Sequence, residues 1–136
     1  MSFVLDASLT LAWLLPDEGS VWLDALFERL LVQGAVAPEH WPLEVANTLL
    51  MAERRGRIDG GFRSAALTDL RALPITLDDE TPAHAWGATL DLALRRRLTI
   101  YDAAYLELAK RKGAPLGTLD ADLIIAAEAE GVAILR

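Results

Sequence analysis

The sequence LTIYDAAYLELAKRKGAPLGTLDADL, residues 98–123, decides the fold of this chain. It predicts a helix that begins near Tyr101, carries Asp102 in its first turn and ends at Gly113. A short apolar strand over residues 115–119 follows the helix. Carboxylates therefore stand at the start of a helix and just after the end of a strand. In an open α/β sheet these ends lie at one edge, where ligands bind.

Composition indicates one globular domain over residues 1–136, since 53% of the residues are hydrophobic and 24% are charged. The absence of cysteine excludes a disulfide framework and a thiolate metal site, and it fits a reducing cytoplasm. No apolar run has the length of a membrane span, and no basic segment precedes an apolar stretch at the N-terminus. We therefore expect a cytoplasmic protein with no membrane segment.

The net charge of −7 argues against a protein that simply coats the phosphates of nucleic acids. Basic residues are nevertheless clustered, because nine of the 13 lysines and arginines fall within residues 54–57, 95–97 and 110–112. Each group comes near the end of a predicted helix, where positive charge complements the helix dipole.

Five short apolar segments alternate with helical patterns along the chain. This alternation predicts a parallel sheet with helices on both faces. The predicted strands cover residues 2–6, 35–38, 75–77, 115–119 and 132–135. The predicted helices cover residues 8–15, 20–31, 42–55, 59–73, 81–97, 101–112 and 123–130, with Ser8, Ser20 and Thr81 as N-caps of the first, second and fifth.

Four acids from four separated segments could converge at one edge of this sheet. Asp6 follows the first predicted strand and Asp120 the fourth, so the two face each other if those strands are neighbours. Glu44 lies early in the helix after the second strand, with Asn47 on the same helix face. Together with Asp102 these carboxylates would repel one another unless a hard divalent cation, Mg2+ or Mn2+, resolved the repulsion. The alternative, four ordinary helix caps and surface acids, is not rejected by spacing alone.

Four motifs occur in an order that resembles the PIN-domain family, and most closely its VapC-like toxins of toxin–antitoxin pairs. They are VLDAS (4–8), LEVANTL (43–49), YDAAYLELA (101–109) and TLDADL (118–123). The resemblance implies a three-layer α/β/α fold with a five-stranded parallel sheet of order 3-2-1-4-5. It also implies a Mg2+- or Mn2+-dependent endoribonuclease that is blocked by a cognate antitoxin.

The resemblance also assigns roles to residues of this chain. The metal-binding and catalytic acids would be Asp6, Glu44, Asp102 and Asp120. Supporting or substrate-positioning roles would fall to Ser8, Asn47, Thr118 and Asp122, the last with the alternative of a plain helix-start charge.

Other polar and aromatic residues receive weaker assignments. Glu39 and Glu107 are expected to be surface residues, and His40 receives no ligand role. Tyr101 and Tyr105 flank Asp102 and could stack on RNA bases, with core packing as the alternative for Tyr105.

The leading function is hydrolysis of RNA phosphodiester bonds by metal-activated water, as the toxin of a toxin–antitoxin pair. The alternative is a non-catalytic RNA-binding or protein-interaction module on the same fold, although such a module has no need for concentrated negative charge. A phosphotransfer enzyme with Asp6 as nucleophile lacks its second acid, since Ser8 stands in that place. A FEN-like DNA nuclease would be longer.

Tryptophan content suggests protein partners. Four tryptophans in a small acidic chain predict an exposed apolar patch, and Trp22 lies between Val21 and Leu23 so that one helix face does not bury all three. We expect the first two helices to contribute to a groove for an antitoxin helix, and the chain to form a homodimer.

Overall fold

Four parallel strands form the centre of the molecule, which is described by a computed structural model over residues 2–15 and 21–136. They are β1 (Phe3–Leu5), β2 (Ala35–Pro38), β3 (Ile75–Asp78) and β4 (Leu116–Gly117). All neighbouring pairs are parallel and the order is β3-β2-β1-β4. The predicted α/β fold is confirmed, and β1 and β4 are neighbours as the convergence of acids required.

The predicted fifth strand is wrong as an element. In the described part of the chain it is reduced to one parallel bridge between Leu116 and Ile134. Leu116 donates its N–H to the carbonyl of Ala133 at 2.9 Å, and Leu135 donates to the carbonyl of Leu116 at 3.0 Å. Because β4 has only two residues, it offers too short an edge for a longer ladder. The sheet therefore has the order 3-2-1-4, with the C-terminal segment beside β4 where a fifth strand would lie.

Helices connect the strands close to the predicted positions. They are α1 (Ala7–Leu14), α2 (Val21–Gln33), α3 (Trp41–Arg54), α4 (Gly60–Arg71), α5 (Thr81–His84), α6 (Leu90–Arg96), α7 (Ile100–Lys112) and α8 (Ala121–Ala129). The first helix begins before the predicted cap Ser8, because Asp6 holds the N-cap position with extended backbone. The predicted cap Ser20 lies outside the described residues.

The helix predicted over residues 81–97 is interrupted. A π-helical turn over Ala85–Thr89 separates α5 from α6, and Gly87 within it has non-helical angles (φ −111°, ψ −106°). Glycine lacks the Cβ that would resist this conformation, so the kink falls at that residue. The segment ends at Arg97, which adopts the left-handed conformation with φ 55°.

Helix α7 is the central helix of the fold. Its residues 103–109 are all buried, whereas a surface helix buries only one stripe. It packs against β1 and β2 on one side and against α6 and α8. At the end of β4, a Cβ on Gly117 would lie 2.9 Å from Leu9, so glycine permits α1 to pack closely there. No helix within the described ranges is long and apolar enough to span a bilayer.

Candidate functional site: an acidic cluster at the carboxyl ends of the strands

The carboxyl ends of β1 and β4 meet at the centre of the candidate site. Leu5 pairs with Gly117 across the two strands, and the N–H of Asp6 donates to the carbonyl of Gly117 at 3.0 Å. Asp6 and Thr118 therefore leave paired positions on adjacent strands and face the same edge of the sheet.

Two hydroxyl groups hold one oxygen of the Asp6 carboxylate. Ser8 Oγ and Thr118 Oγ1 each donate to Asp6 Oδ2 at 2.6 Å. The same hydroxyls accept backbone N–H groups from the segment after β4, Ser8 from Leu119 at 3.0 Å and Thr118 from Asp120 at 3.0 Å. Short hydrogen bonds to a carboxylate are among the stronger ones in proteins. This network fixes the orientation of Asp6 and ties the end of β1 to the start of α8.

Asp6 is buried, with 4% of its surface exposed. Burial raises its pKa above the ordinary value, and the nearby charge of Glu44 acts in the same direction. The hydrogen bonds from Ser8 and Thr118 oppose the shift without cancelling it. The charged form of this carboxylate is therefore held at some cost to the fold.

Asp102 lies in the first turn of α7 but is not its cap. The cap is Thr99, whose Oγ1 accepts the N–H of Asp102 at 3.1 Å. Partial burial, followed by the charges of Asp120, Asp6 and Glu44, raises the pKa of Asp102 to about 6. Each of the other three acids therefore acts electrostatically on this carboxylate, and the N-cap role at this helix belongs to Thr99.

Asp120 has a capping role as well as a place in the cluster. It is the N-cap of α8, and its Oδ1 accepts the N–H groups of Asp122 at 2.9 Å and Leu123 at 3.2 Å. Asp122 is exposed in the first turn of α8. Asn47 is exposed one turn after Glu44 and has no hydrogen bond to the four acids within residues 2–15 and 21–136.

Glu44 adjoins His40, for which the sequence predicts no ligand role. His40 Nε2 lies 2.8 Å from Glu44 Oε1, although the pair lacks the alignment of a regular hydrogen bond. The His40 ring contacts the ring of Tyr105 edge-on, with centroids 5.2 Å apart, and that of Tyr101 at 5.6 Å. The spacing of four residues between His40 and Glu44 at the start of a helix was the available signal.

The two tyrosines beside Asp102 have different environments. Tyr105 is fully buried, so the core-packing alternative is confirmed for it and stacking on RNA is wrong. Burial and the charge of Glu44 raise its pKa, so its hydroxyl stays protonated. Tyr101 is 60% exposed and remains available to a ligand.

The surface assignment is confirmed for Glu39 and wrong for Glu107. Glu39 is exposed, whereas Glu107 is 5% exposed and bonds Arg111 at 2.8 Å and 3.0 Å. The same Arg111 bonds the carboxylate of Asp78 at 2.5 Å and 3.1 Å. Burial favours a raised pKa for Asp78, but this guanidinium, with the Glu80 N–H and the Thr81 hydroxyl, holds it below its usual range.

The described residues bring one set of three carboxylates to within 4.8 Å of one another, and it is the turn Asp78, Asp79 and Glu80 after β3. No three of the four predicted acids approach this closely within the described ranges. Within this turn Asp78 has a cationic partner in Arg111, which also lies 3.7 Å from Glu80, so part of the negative charge of the turn is already compensated.

The four predicted acids lack such a partner. No lysine or arginine in the described part of the chain forms an ion pair with Asp6, Glu44, Asp102 or Asp120. Their donors are oxygen atoms only, which suits Mg2+ or Mn2+. Mg2+ retains several waters and often uses only one or two carboxylates, so a cluster wider than a closed ligand cage fits a hydrated ion.

Comparison with known proteins identifies one family and two similar ribonucleases. The sequence model of the PIN domain matches residues 3–129. Ribonuclease VapC3 of Pyrobaculum aerophilum is 32% identical over 123 residues, covering 90% of this chain and 92% of that protein. Ribonuclease VapC3 of Mycobacterium tuberculosis is 35% identical over 98 residues, covering 71% of this chain and 67% of that protein.

Solved structures share the fold. PAE2754 from Pyrobaculum aerophilum superposes with a TM-score of 0.71 at 23% identity, covering 99% of this chain and 84% of that one. FitAcB from Neisseria gonorrhoeae gives a TM-score of 0.68 at 16% identity, covering 98% and 96%. Mycobacterium tuberculosis VapC20, described as a sarcin-ricin loop cleaving toxin, gives 0.61 at 19% identity, covering 99% of both chains. These identities show similarity of fold.

Proposed function

The chain belongs to the PIN-domain family, and on that premise we propose that it is a divalent-metal-dependent endoribonuclease, the toxin of a toxin–antitoxin pair. The observation that carries the proposal is the electrostatic proximity of four acids without a balancing lysine or arginine among the described residues. Two of them, Asp6 and Asp120, follow β1 and β4, and the other two, Glu44 and Asp102, lie in the first turns of α3 and α7. Two relatives that align with most of this chain are named ribonucleases, which supports the reaction class.

The residues proposed to hold the metal, and so to be catalytic, are Asp6, Glu44, Asp102 and Asp120, with Mg2+ as the first candidate and Mn2+ as the second. A divalent ion bound there would lower the pKa of a water molecule and neutralise negative charge during phosphodiester hydrolysis. The chain itself contributes orientation: the hydroxyls of Ser8 and Thr118 hold the Asp6 carboxylate.

Asn47 and Asp122 are proposed to position the substrate at the borders of the cluster. Asn47 is exposed on α3 one turn after Glu44, and Asp122 is exposed on α8 two residues after Asp120. Both side chains are therefore accessible to an RNA strand that approaches the acids. Tyr101, exposed in the first turn of α7, adds an aromatic face on which a base could stack.

An antitoxin and a second copy of the chain are the proposed protein partners, and the cytoplasm is the proposed location. Large apolar residues are exposed on two regions, Val21 and Val32 on α2 (87% and 85%) and Trp86 and Leu94 around α6 (94% and 72%). Exposed apolar patches of this kind mark interfaces. A monomer by light scattering at tens of micromolar, where a stable dimer would persist, would reject the homodimer.

The other tryptophans are at least partly buried, which limits the predicted patch. Trp41 is buried and donates to Thr10 Oγ1 at 3.1 Å, and Trp13 donates to the carbonyl of Leu23 at 2.9 Å. Trp22 is half-buried beside the exposed Val21. The groove over the first two helices therefore remains a proposal, and unchanged antitoxin affinity in Trp22→Ala would reject it.

Cleavage of RNA by the purified protein tests the function. Wild type should cleave with Mg2+ or Mn2+ and stop in EDTA. Asp102→Asn should lower the cleavage rate at least about a hundredfold. Substitution of residues that merely hydrogen-bond to metal ligands already lowers metal affinity or activity about 10- to 100-fold. Asp79→Asn removes the same charge from an exposed acid and is the matched control.

Each alternative has its own result in this experiment. Cleavage that persists in EDTA would reject metal dependence. Equal losses in Asp102→Asn and Asp79→Asn would reject the site. RNA binding without cleavage under any metal would favour the non-catalytic binding module.

A further inference from the structure

The backbone of Arg97 is unusual. It has φ 55° and ψ 43°, and within the described ranges it is the one residue other than glycine with positive φ. In this conformation the Cβ of an L-residue crowds the following carbonyl, so helices that end this way usually place glycine or asparagine there. The chain follows that rule elsewhere, for example with Gly113 at φ 61° at the end of α7.

The fold does not use the side chain of Arg97. Its two predecessors bond the carboxylate of Glu130, Arg95 at 2.9 Å and 3.0 Å and Arg96 at 2.6 Å. Arg97 is exposed, and within residues 2–15 and 21–136 its guanidinium has no hydrogen bond or ion pair. The cap itself is made by backbone groups, because the N–H groups of Arg97 and Leu98 both donate to the carbonyl of Ala93. Glycine would make the same cap without strain.

Arg97 lies in the segment that leads into the first turn of α7. It is two residues before Thr99, the N-cap of α7, and it lines a surface groove with Asp122 and Ile125 of α8. Helix α8 starts directly after Asp120. Arg97 is therefore five residues before Asp102 in the chain, and the groove that it lines includes Asp122, two residues after Asp120.

Most other cations near the centre of the fold are neutralised. Lys110 bonds Glu130 at 2.6 Å, Arg111 bonds two buried carboxylates, and Arg63 pairs with Glu53. In a chain of net charge −7, a polyanion that approaches four acids is repelled over a wide area. An unpaired guanidinium on the segment that leads to Asp102 would oppose the repulsion and bind a phosphate through two parallel hydrogen bonds.

We propose that Arg97 binds a backbone phosphate of the RNA strand next to the bond that is cleaved, and that it sets the position of the strand over the acids. The inference rests on the proposed function, since it takes RNA as the substrate. It explains why a strained arginine stands where glycine would satisfy the fold.

The test uses Arg97→Gly, because a structural role and a binding role predict opposite results for it. If Arg97 binds phosphate, the variant should melt at the same temperature as wild type or higher, and yet bind RNA several-fold more weakly. The slope of log K against log salt concentration should fall by about 0.7, the value for one lost contact to a single strand. Arg97→Lys should retain the wild-type slope.

The probe is a short fluorescein-labelled single-stranded RNA of mixed sequence, with anisotropy read over a salt series in EDTA so that it stays intact. Lys112→Gln is the matched control. It removes one exposed cation at the other end of α7, about 15 Å from Asp102 at 1.5 Å per residue. Arg97→Asn, whose side chain also tolerates the left-handed region, is the second neutral variant if the glycine form melts early.

The outcomes separate the inference from the function on which it rests. If Arg97→Gly binds RNA with the affinity and the salt dependence of wild type, and wild type cleaves RNA, the inference is overturned and the proposed function stands. If Lys112→Gln weakens RNA binding as much as Arg97→Gly does, the effect comes from net charge alone and the inference is also overturned. A wild type that neither binds nor cleaves RNA would overturn the proposed function and the inference with it.

Discussion

The two halves of helix α7 bury carboxylates in opposite ways. In its first turn, Asp102 is surrounded by Asp6, Glu44 and Asp120, and its pKa is raised to about 6 by burial and by these charges. One and a half turns further on, Glu107 is buried against Arg111. The same guanidinium holds the pKa of the buried Asp78 below its usual range despite the opposing effect of burial.

Burial acts to raise both pKa values, and the neighbouring groups decide whether the net shift is upward, as for Asp102, or downward, as for Asp78. A carboxylate buried against a guanidinium belongs to the framework, whereas carboxylates gathered without a cation are unstable until one arrives. Glu130 extends the contrast, because Arg95, Lys110 and Arg96 bond its carboxylate and hold its pKa far below the ordinary value. Removal of a cationic partner should therefore lower the free energy of unfolding where the acid belongs to the framework. Addition of a cation should raise it where the acids belong to the site.

Removing Arg111 should have the largest effect. Arg111→Gln leaves the side chains of Asp78 and Glu107, 4% and 6% exposed, without their counter-charge. Breaking a buried ion pair by removing one partner costs about 3–5 kcal/mol of unfolding free energy. Urea unfolding at pH 7 measures the loss, with Lys112→Gln, the exposed neighbour, as the control for net charge. A loss below about 1 kcal/mol would mean that these ion pairs stabilise the fold no more than exposed surface pairs do.

Adding a cation to the site should have the next largest effect. An ion that binds only the folded state stabilises wild type by about 2.7 kcal/mol at a hundredfold excess over Kd. Asp102→Asn should gain much less, because it loses one of four proposed ligands, and Asp79→Asn should gain as much as wild type. Thermal melting over a Mg2+ or Mn2+ series measures all three. An equal gain in Asp102→Asn would remove that residue from the metal site.

Without metal, Asp102 should weaken the fold at neutral pH. Its folded pKa, about 6, lies above its ordinary 3.8, so the folded state binds more protons than the unfolded state between these values. The stability from this group is complete below about 3.8 and is lost as pH rises through 6. In EDTA at pH 7, Asp102→Asn should thus be more stable than wild type by about 1–2 kcal/mol, a figure reduced for partial exposure.

The pH dependence of that difference is the more specific test. Paired melts of wild type and Asp102→Asn in EDTA should show a gap that opens between about pH 4 and pH 6.5. A variant that is less stable than wild type at every pH would mean that Asp102 supports the first turn of α7, whatever Thr99 does there.

Much of the fold was predictable because its determinants are local. Apolar segments between helical patterns predicted four of the five strands correctly. The helix predicted to begin at Asp59 is also present, with Asp59 as the N-cap that accepts the N–H of Phe62. The fifth strand and the continuous helix over residues 81–97 were wrong. An apolar run forms a strand only where the neighbouring edge is long enough, and β4 has two residues. The bend at Gly87 has no marker in the sequence except the glycine.

The predictions about the site also depended on local signals, and they were wrong where a contact joined distant segments. Asp6 and Asp120 followed from strand ends, a local signal, while Glu44 and Asp102 depended mainly on the motifs. Glu107 was misjudged because Arg111 reaches Asp78, 33 residues away in the chain, and no periodicity encodes that contact. His40 was passed over because a histidine near a helix start has many structural uses.

The smallest expected effect tests whether pairing alone explains the contrast. Arg136 Nη2 bonds Glu128 Oε1 at 3.0 Å through a single hydrogen bond, and the two side chains are 67% and 56% exposed. Water solvates both charges once they are separated, so Arg136→Gln should change the unfolding free energy by less than about 0.5 kcal/mol. Urea unfolding beside Arg111→Gln under the same conditions makes the measurement. If Arg136→Gln costs more than about 1 kcal/mol, an exposed counter-charge stabilises this fold as well as a buried one does, and the large effect expected for Arg111→Gln would not depend on the burial of Asp78 and Glu107.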